Sequence, residues 1–458
     1  MKTRKSKKEF ENKYPAADAL KEGSMLTRLS VLVLGAGCLA RGQIVKGLLF
    51  LAAEIAIIFY MIQTGLHNLS MLITLGETEQ QKVWNEAKSV YEYVDGDRSQ
   101  LILLYGIITL AIVLVLVLLA RSSLRQAYKL ECMKAEGQII PSFREELQNL
   151  LNGNLHMALL SLPVTGVLMF TILPLVFMIS MAFTSYSVEN SKLVLFDWVG
   201  LENFKRVIGL GGSLGKTFWP VLGWTLIWAL AATFSNYFCG LILALFINWK
   251  EIRAKKMWRF FFVLTVAIPH FVTLLIMRTM LQPEGAVNIM LRNMGILGVK
   301  ESLPFFTNAT WARVTVILIN IWVGVPYMLL QVTGILQNIP QELYEAARVD
   351  GAGPIVTFRK ITLPYMMFIM MPYLITTFTG NVNNFNVIFL TSQGLPRPVD
   401  STAGKTDLLV TWLYKLTIEN QYYNVGAVIG IMTFVTLAVV SLITFKFSGS
   451  NKNEEAFR

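Results

Sequence analysis

The sequence predicts an all-α integral membrane protein with about eight transmembrane helices. Its 458 residues are 54% hydrophobic and only 15% charged, whereas soluble proteins carry about 25% charged residues. The mean hydropathy is +0.53, and the apolar residues fall in long runs near the ~20 residues that a membrane-crossing helix needs. The net charge of +11 is typical of basic loops beside a bilayer, so we expect contact with membrane lipid and no binding of nucleic acid.

The amino-terminal part is predicted to contain a tail and two spans. Residues 1–43 form a basic tail that ends in a short apolar piece, 29–40, which either spans the membrane or lies at its interface. Two transmembrane helices with a polar, acidic loop between them occupy 44–120, at about 44–63 and 101–120. Glu54 is the one acidic residue inside the first span, where we expect it to pair or to reach the interface.

Residues 121–156 are charged and amphipathic and are predicted to be a cytoplasmic linker. Residues 157–447 contain the remaining apolar runs, and 448–458 form a short tail. Prolines are predicted to kink the third span, and Pro372 and three asparagines to break the seventh. The six predicted spans of this part are 157–182, 219–247, 258–281, 312–333, 364–390 and 425–446.

Charge distribution predicts the topology. With about eight spans, both termini lie on one side of the membrane. Basic residues cluster in the 1–28 tail, the 121–144 linker, the 248–256 loop and the final tail, all on that same side. Because cytoplasmic loops are enriched in lysine and arginine, we expect a multi-pass plasma-membrane protein with both termini in the cytoplasm.

One polar stretch between the sixth and seventh spans has a distinctive pattern. Residues 341–349 are good helix formers, and Asp350-Gly-Ala-Gly-Pro354 ends that helix. A second short helix is predicted to follow, and Leu363-Pro364 to turn the chain back into the bilayer. The small side chains of Ala346 and Ala347 would let another protein approach closely. The alternative is an ordinary helical hairpin between two spans.

This stretch resembles the loop that defines the permease subunits of ABC importers. Seven residues occupy every fixed position of the family pattern: Glu345, Ala346, Ala347, Gly351, Ile361, Leu363 and Pro364. The resemblance implies a six-helix permease core preceded by two additional N-terminal helices. It also implies that the loop 341–364 docks in a cleft of a cytoplasmic ATPase. The implied assembly contains a second, homologous permease, two copies of the ATPase and an exterior sugar-binding protein.

The chain itself is not predicted to be an enzyme. The stretch from Gly209 to Thr217 is similar to a phosphate-binding loop, but its glycines leave three or five residues before Gly-Lys-Thr where that motif needs four. ATP and Mg²⁺ are therefore expected on the ATPase, with no cofactor in this chain. The three cysteines and three histidines share no metal-ligand spacing, so no metal site is predicted.

Two polar clusters inside predicted spans are candidate substrate sites, because polar groups in a membrane are costly and mark pathways or helix contacts. They are Asn320–Tyr327 and Gly380–Phe385. Amide and hydroxyl groups beside aromatic rings suit a sugar. The alternative is that each asparagine only bonds a neighbouring helix.

From about 155 to 447 the chain resembles the larger permease subunit of maltose/maltodextrin importers. That resemblance implies a sugar site lined by Asn320, Val323, Gly324, Tyr327, Gly380 and Asn384, to which we add Asn383 and His270 as candidates. At position 380 the family has a phenylalanine, so the site here is predicted to be roomier and to accept a longer or differently linked oligosaccharide.

The sequence therefore predicts the permease subunit of an ATP-driven importer of oligosaccharides, foremost maltodextrins. Permeases for galacto-oligosaccharides or raffinose-type sugars share the same loop and remain alternatives. An ion-coupled secondary transporter and a non-transporting membrane scaffold are further alternatives. Secondary transporters often contain inverted repeats and intramembrane carboxylates, and no clear repeat is evident here.

Overall fold

The computed structural model describes residues 14–86, 88, 90–190, 193–249 and 251–447. The first thirteen residues of the predicted basic tail and the predicted tail at 448–458 lie outside the described residues. The chain divides into two compact units, Met1–Val199 and Gly200–Arg458. The predicted domain boundaries, which place the third span in the permease core, stay a prediction.

The first unit is built mostly of helices, of which three cross the predicted membrane. Three short helices precede the first span, and a helix of the predicted linker lies between the second and third. In order they are α1 (Ala16–Lys21), α2 (Met25–Leu29), α3 (Ala36–Leu39), α4 (Ile44–Thr74), α5 (Ser99–Ala135), α6 (Phe143–Asn152) and α7 (Leu155–Met181). Helices α4 and α5 extend beyond the predicted spans, so the loop after α4 is shorter than predicted and the linker begins as a continuation of α5.

The apolar piece before the first span folds as short helical turns held against α4 and α5. Leu34 N–H donates to the Glu54 carboxylate at 2.8 Å, and Gly35 N–H donates to Ser123 Oγ at 2.8 Å. Both bonds are buried, where an unpaired backbone N–H is costly. Glu54, the one acidic residue of the first span, thus satisfies a backbone N–H that has no helical partner.

A two-stranded antiparallel hairpin follows α4, where the sequence predicted only a polar loop. Strands β1 (Gln81–Asn85) and β2 (Val90–Val94) pair with Gln81 opposite Val94. The ring of Trp84 packs edge-on against Tyr91, with centroids 4.9 Å apart. Aromatic and β-branched residues around a short turn are a strand signal, so the hairpin was available from the sequence.

Helix α6 is fixed to the start of α4 by the Glu146 carboxylate. It accepts hydrogen bonds from Lys46 Nζ at 2.8 Å, Gln43 at 3.0 Å and Gln126 at 3.2 Å. Partial burial alone raises the pKa of Glu146, but the hydrogen bonds from Lys46 and Gln43 and the Lys46 charge lower the pKa on balance. Its ionised form is therefore stabilised in the folded state.

We expect Glu146→Gln to lower the thermal stability of the purified protein at neutral pH by on the order of 1 kcal/mol. Because the pKa of Glu146 in the folded protein lies below the ordinary glutamate value of 4.5, the carboxylate's contribution to stability is complete above that value and is lost as the pH falls through the folded pKa. The melting-temperature difference between variant and wild type should shrink over that acidic range. The control is Glu136→Gln, because the exposed Glu136 accepts from its neighbour Gln138. An unchanged difference at all pH values would contradict this account.

The second unit contains the other predicted spans. Short helices alternate with long ones: α8 (Glu202–Ile208), α9 (Ser213–Asn248), α10 (Lys255–Ala267), α11 (His270–Met280), α12 (Ala286–Asn293), α13 (Ala309–Gln337) and α14 (Gln341–Val349). The chain continues as α15 (Pro354–Thr357, a π-helical turn Phe358–Thr362, then Leu363–Val382), α16 (Phe385–Thr391), α17 (Leu409–Tyr414) and α18 (Tyr423–Phe447).

The core of the second unit lies between α9, α13 and α15. Trp228 is fully buried there, and its indole N–H donates to Asn381 O at 3.1 Å. Tyr237, Met328 and Met370 belong to a second buried cluster. Burial of such large side chains makes α9 and α13 the fixed frame on which the candidate sites lie.

The prediction of about eight spans is confirmed. In the described residues, seven helices are long and apolar enough to cross a membrane, and α10 with α11 counts as an eighth. That pair is bent by 87° at Ile268–Pro269, because proline cannot donate the next helical hydrogen bond. The predicted break at Pro372 is wrong: α15 continues through it and ends at Val382, and Asn384 Oδ1 caps α16 by accepting from Val387 N–H at 3.3 Å.

Candidate functional sites: the loop 341–364 and an amide-lined stripe on α13

The helix that the loop pattern predicted is present with the predicted bounds, Gln341–Val349. It ends where Gly351 adopts φ +74°, a left-handed conformation that residues with a Cβ adopt only with strain. Ala352 N–H donates to Ala347 O at 2.8 Å, which satisfies a terminal carbonyl of α14. The glycine therefore sets the direction in which the chain leaves the helix.

The two adjacent alanines of α14 face different surroundings. Ala347 is buried against its own chain, whereas Glu345 and Ala346 are exposed. Gln341 Nε2 donates to Glu345 Oε1 at 2.8 Å on the exposed side. Of the two small residues, Ala346 is thus the one that leaves room for an approaching partner, and Ala347 serves the packing of the loop itself.

The second half of the loop is continuous with the span that follows. Helix α15 begins at Pro354 and passes through its π-helical turn into Leu363–Val382 without a break. The predicted turn at Leu363-Pro364 is therefore wrong, since Pro364 lies inside the continuing helix, directly after the π-helical turn Phe358–Thr362. Tyr344 Oη lies 3.1 Å from Thr362 Oγ1 and ties α14 to α15.

The first predicted polar cluster forms a stripe along α13. Asn320 is 4% exposed, and its Nδ2 has no hydrogen-bond partner among the described residues. Val323 is buried beside it and Gly324 is half-buried, while Tyr327 is 44% exposed. Residues at this spacing share one helix face, so a buried amide donor, a glycine and an accessible phenol follow one another.

Asn236 on α9 closes one side of this stripe and was not singled out from the sequence. Its side-chain amide occupies the position that a Cβ on Gly324 would need. Asn236 Oδ1 is buried and has no hydrogen-bond partner among the described residues. An asparagine in the middle of an apolar helix was the available signal.

The second predicted cluster lies at the end of α15. A Cβ on Gly380 would meet no atom within 4 Å, and Asn383 is exposed. Asn384 caps α16 and donates from Nδ2 to Asn381 Oδ1 at 3.4 Å. His270 is half-buried at the start of α11, directly after the proline break. The structure thus gives Asn384 a structural role and leaves open space beside Gly380.

A buried ion pair, absent from the sequence predictions, holds the long loop between α16 and α17. Lys415 Nζ lies 2.7 Å from Asp407 Oδ2, and both side chains are buried. Asp407 also accepts from Gly404 N–H at 2.7 Å and from Thr411 Oγ1 at 2.9 Å. Because each charge is paired and hydrogen-bonded, this arrangement fixes the loop without leaving a bare buried ion.

Comparison with known proteins identifies the family. A family model described as "Binding-protein-dependent transport system inner membrane component" matches residues 236–448, a range that includes the α13 stripe and the loop 341–364. Maltodextrin transport system permease protein MdxF of Bacillus subtilis (strain 168) is 33% identical over 438 residues, which cover 93% of this chain and 95% of that protein. The chain belongs to this family of membrane transport components.

Two further similarities agree with this membership. Galactooligosaccharides transport system permease protein GanP of Bacillus subtilis (strain 168) is 36% identical over 364 residues, covering 79% of this chain and 86% of GanP. A solved bacterial ABC transporter involved in the import of the acidic polysaccharide alginate matches 66% of this chain and 97% of the matched chain, with a TM-score of 0.55 at 23% identity. This structural match confirms the fold of an ABC-importer permease. The chain is thus a multi-span transport component of a binding-protein-dependent system.

Proposed function

We propose that this chain is the permease subunit of an ATP-driven importer that moves oligosaccharides, foremost maltodextrins, into the cell. The observation that supports this most is the α13 stripe, where the buried Nδ2 of Asn320 has no hydrogen-bond partner among the described residues. A buried donor without a partner costs free energy, and a sugar hydroxyl would supply the missing acceptor. The names of MdxF and GanP agree with an oligosaccharide substrate.

A galacto-oligosaccharide is the second candidate substrate. Its support is the 36% identity to GanP, which is somewhat higher than the 33% identity to MdxF. Both sugars present similar hydroxyl groups, so the amides on α13 do not choose between them. The open space beside Gly380 is the part of the proposed site where the different shapes of the two sugars can affect binding.

Energy for transport is proposed to come from two copies of a cytoplasmic ATPase, which bind ATP and Mg²⁺. Helix α14 docks on an ATPase through Glu345 and Ala346, while Ala347, Gly351, Leu363 and Pro364 fix its direction. The contact between Tyr344 and Thr362 joins α14 to α15. Motion of α14 is thereby transmitted to the membrane-spanning part of α15, as alternating access requires. A second homologous permease and an exterior sugar-binding protein complete the assembly. Both termini lie in the cytoplasm.

The test is transport by the complete, reconstituted transporter. Labelled maltodextrins and galacto-oligosaccharides are offered with ATP, with a non-hydrolysable ATP analogue, and with an ion gradient alone. We expect uptake of one sugar class that requires ATP hydrolysis and the binding protein. Uptake driven by the ion gradient without ATP would overturn the proposal in favour of a secondary transporter.

We expect Gly380→Phe to shift the chain-length preference toward shorter oligosaccharides, because the ring would occupy the open space beside α15. Uptake of the longest accepted sugar should fall by about tenfold, the effect of roughly 1.4 kcal/mol, while the shortest is taken up nearly as before. Competition among maltodextrins of defined length measures this shift. Gly380→Ala is the control that adds little volume. An unchanged preference would show that position 380 does not face the sugar.

A further inference from the structure

A cavity of about 250 Å³ lies at the end of the second unit opposite to α14. It is bordered by the beginnings of α9 and α13 and by the loop between α16 and α17, and it is open on one side. Three cationic side chains line it: Lys216 in the first turn of α9, Arg313 in the second turn of α13, and Lys405 in the loop. In the proposed topology this end faces the exterior.

These three cations lack carboxylate partners. Among the described residues, no Asp or Glu oxygen lies within 4.0 Å of Lys216, Arg313 or Lys405. Asp400 also lines the cavity, and Asp407 is paired with Lys415. The cavity therefore has an excess of positive charge that its own acidic residues do not neutralise.

Arg313 is held in a fixed orientation. Its guanidinium lies over the ring of Trp224, 4.4 Å from the centroid, and its Nε donates to Lys405 O at 3.0 Å. The indole N–H of Trp224 in turn donates to Thr406 O at 3.2 Å, in the loop that the Asp407–Lys415 pair fixes. These contacts leave the terminal guanidinium nitrogens without a hydrogen-bond acceptor in the described chain. A preoriented guanidinium suits two parallel hydrogen bonds to a carboxylate.

The location of Arg313 relates this cavity to transport. Arg313 precedes Asn320 by about two helical turns on the same face of α13, roughly 10 Å toward the exterior. An exterior group bound at Arg313 would thus act on the helix that carries the proposed sugar site. The cavity volume suits one acidic side chain with a short stretch of its backbone.

We propose that this cavity is the binding site for an acidic side chain of the exterior sugar-binding protein. The inference rests on the proposed function, because it takes that protein as the occupant. Arg313 forms the paired hydrogen bonds, and Lys216 and Lys405 attract the approaching acidic surface. Charges placed in this way raise the association rate and make it dependent on salt.

The experiment measures binding of the sugar-loaded binding protein to the complete transporter in nanodiscs, at about 50 and about 300 mM salt, a range over which screening changes strongly. Arg313→Gln is expected to raise the Kd about tenfold at the lower salt, the effect of losing charged hydrogen bonds, and to flatten the salt dependence. Lys405→Gln should mainly slow association. Arg313→Lys, which keeps the charge, should keep the salt dependence but not the full affinity. Lys300→Gln is the control, since Lys300 is exposed in the loop that leads into α13, and it should behave as wild type.

An unchanged Kd and salt dependence in Arg313→Gln would overturn the inference while leaving the proposed function intact, provided that ATP-dependent uptake persists. A second result would also overturn the inference: Arg313→Gln docks the binding protein normally but no longer binds a uronate-containing oligosaccharide. The cavity would then be a site for an anionic substrate. Loss of ATP-dependent uptake and of binding-protein dependence in the wild type would overturn the proposed function itself. A melting temperature of Arg313→Gln only slightly below that of the wild type is expected, since its contacts with Trp224 and Lys405 are lost, and a large loss of stability would assign the residue to packing alone.

Discussion

Replacing Ala346 with tryptophan is expected to lower sugar uptake at least tenfold while the chain stays folded. A tenfold effect corresponds to a loss of about 1.4 kcal/mol in the free energy of binding to the ATPase. Ala346 is exposed on α14, so a large ring can extend away from its own chain, where it would block the close approach of a partner helix or cleft. Uptake by membrane vesicles and co-purification of the ATPase measure the two effects. Both should fall together, and the melting temperature of the isolated subunit should not change.

Position 347 supplies the matched control, because it differs from position 346 in burial alone. Ala347 is buried against the loop, so Ala347→Trp is expected to destabilise the subunit itself by about 1–3 kcal/mol through overpacking. Ala346→Ser, which keeps the side chain small, should leave uptake near the wild-type rate. Normal uptake and ATPase retention in Ala346→Trp would contradict the proposal that α14 docks through this face.

Replacing Asn320 with leucine is expected to reduce uptake about tenfold or more without reducing thermal stability. Its Nδ2 is buried and has no protein partner in the described chain, so removing the amide breaks no hydrogen bond and eliminates an unsatisfied group. If a sugar hydroxyl is its partner, the variant loses a bond that is formed only with substrate. Uptake kinetics and a melting curve, with and without sugar, separate these effects.

Asn381→Leu is the stability control for that variant. Asn381 Nδ2 donates to Thr233 Oγ1 at 2.9 Å in a buried position, so its loss should lower the melting temperature, unlike the loss of the Asn320 amide. A destabilised Asn320→Leu with unaltered sugar affinity would show that Asn320 only packs between helices. Sugar that stabilises the wild type but not Asn320→Leu would support its contact with substrate.

Local sequence was sufficient for the features that depend on neighbours along the chain. Long apolar runs predicted the membrane helices, because a bilayer leaves the backbone no other partners. The helix at 341–349 and its end before Gly351 followed from helix propensity and glycine geometry. The break before His270 was not predicted, although Pro269 was its signal in the sequence.

Where spatial neighbours decide the outcome, sequence reasoning was incomplete or wrong. Pro364 and Pro372 were predicted to turn or break the chain, yet α15 accommodates both, because Pro364 follows a π-helical turn and packing against α9 stabilises the helix. The separate environments of Ala346 and Ala347 depend on the direction in which the loop folds back. Asn236 and Gly324 are far apart in sequence and meet only because α9 and α13 pack together.

By itself, the sequence determined that this protein is a helical membrane protein with a short helix at 341–349, since those properties follow from hydropathy and local backbone preferences. The family resemblance, and not those patterns, added the expectation of a permease. Only the tertiary structure decided which polar groups lack partners: Glu54 is satisfied by the backbone of Leu34, whereas the amide of Asn320 and the guanidinium end of Arg313 are not satisfied by the described chain. The physical reason is that a hydrogen bond requires two groups at a suitable distance and angle. That condition is met or missed only when distant segments come together.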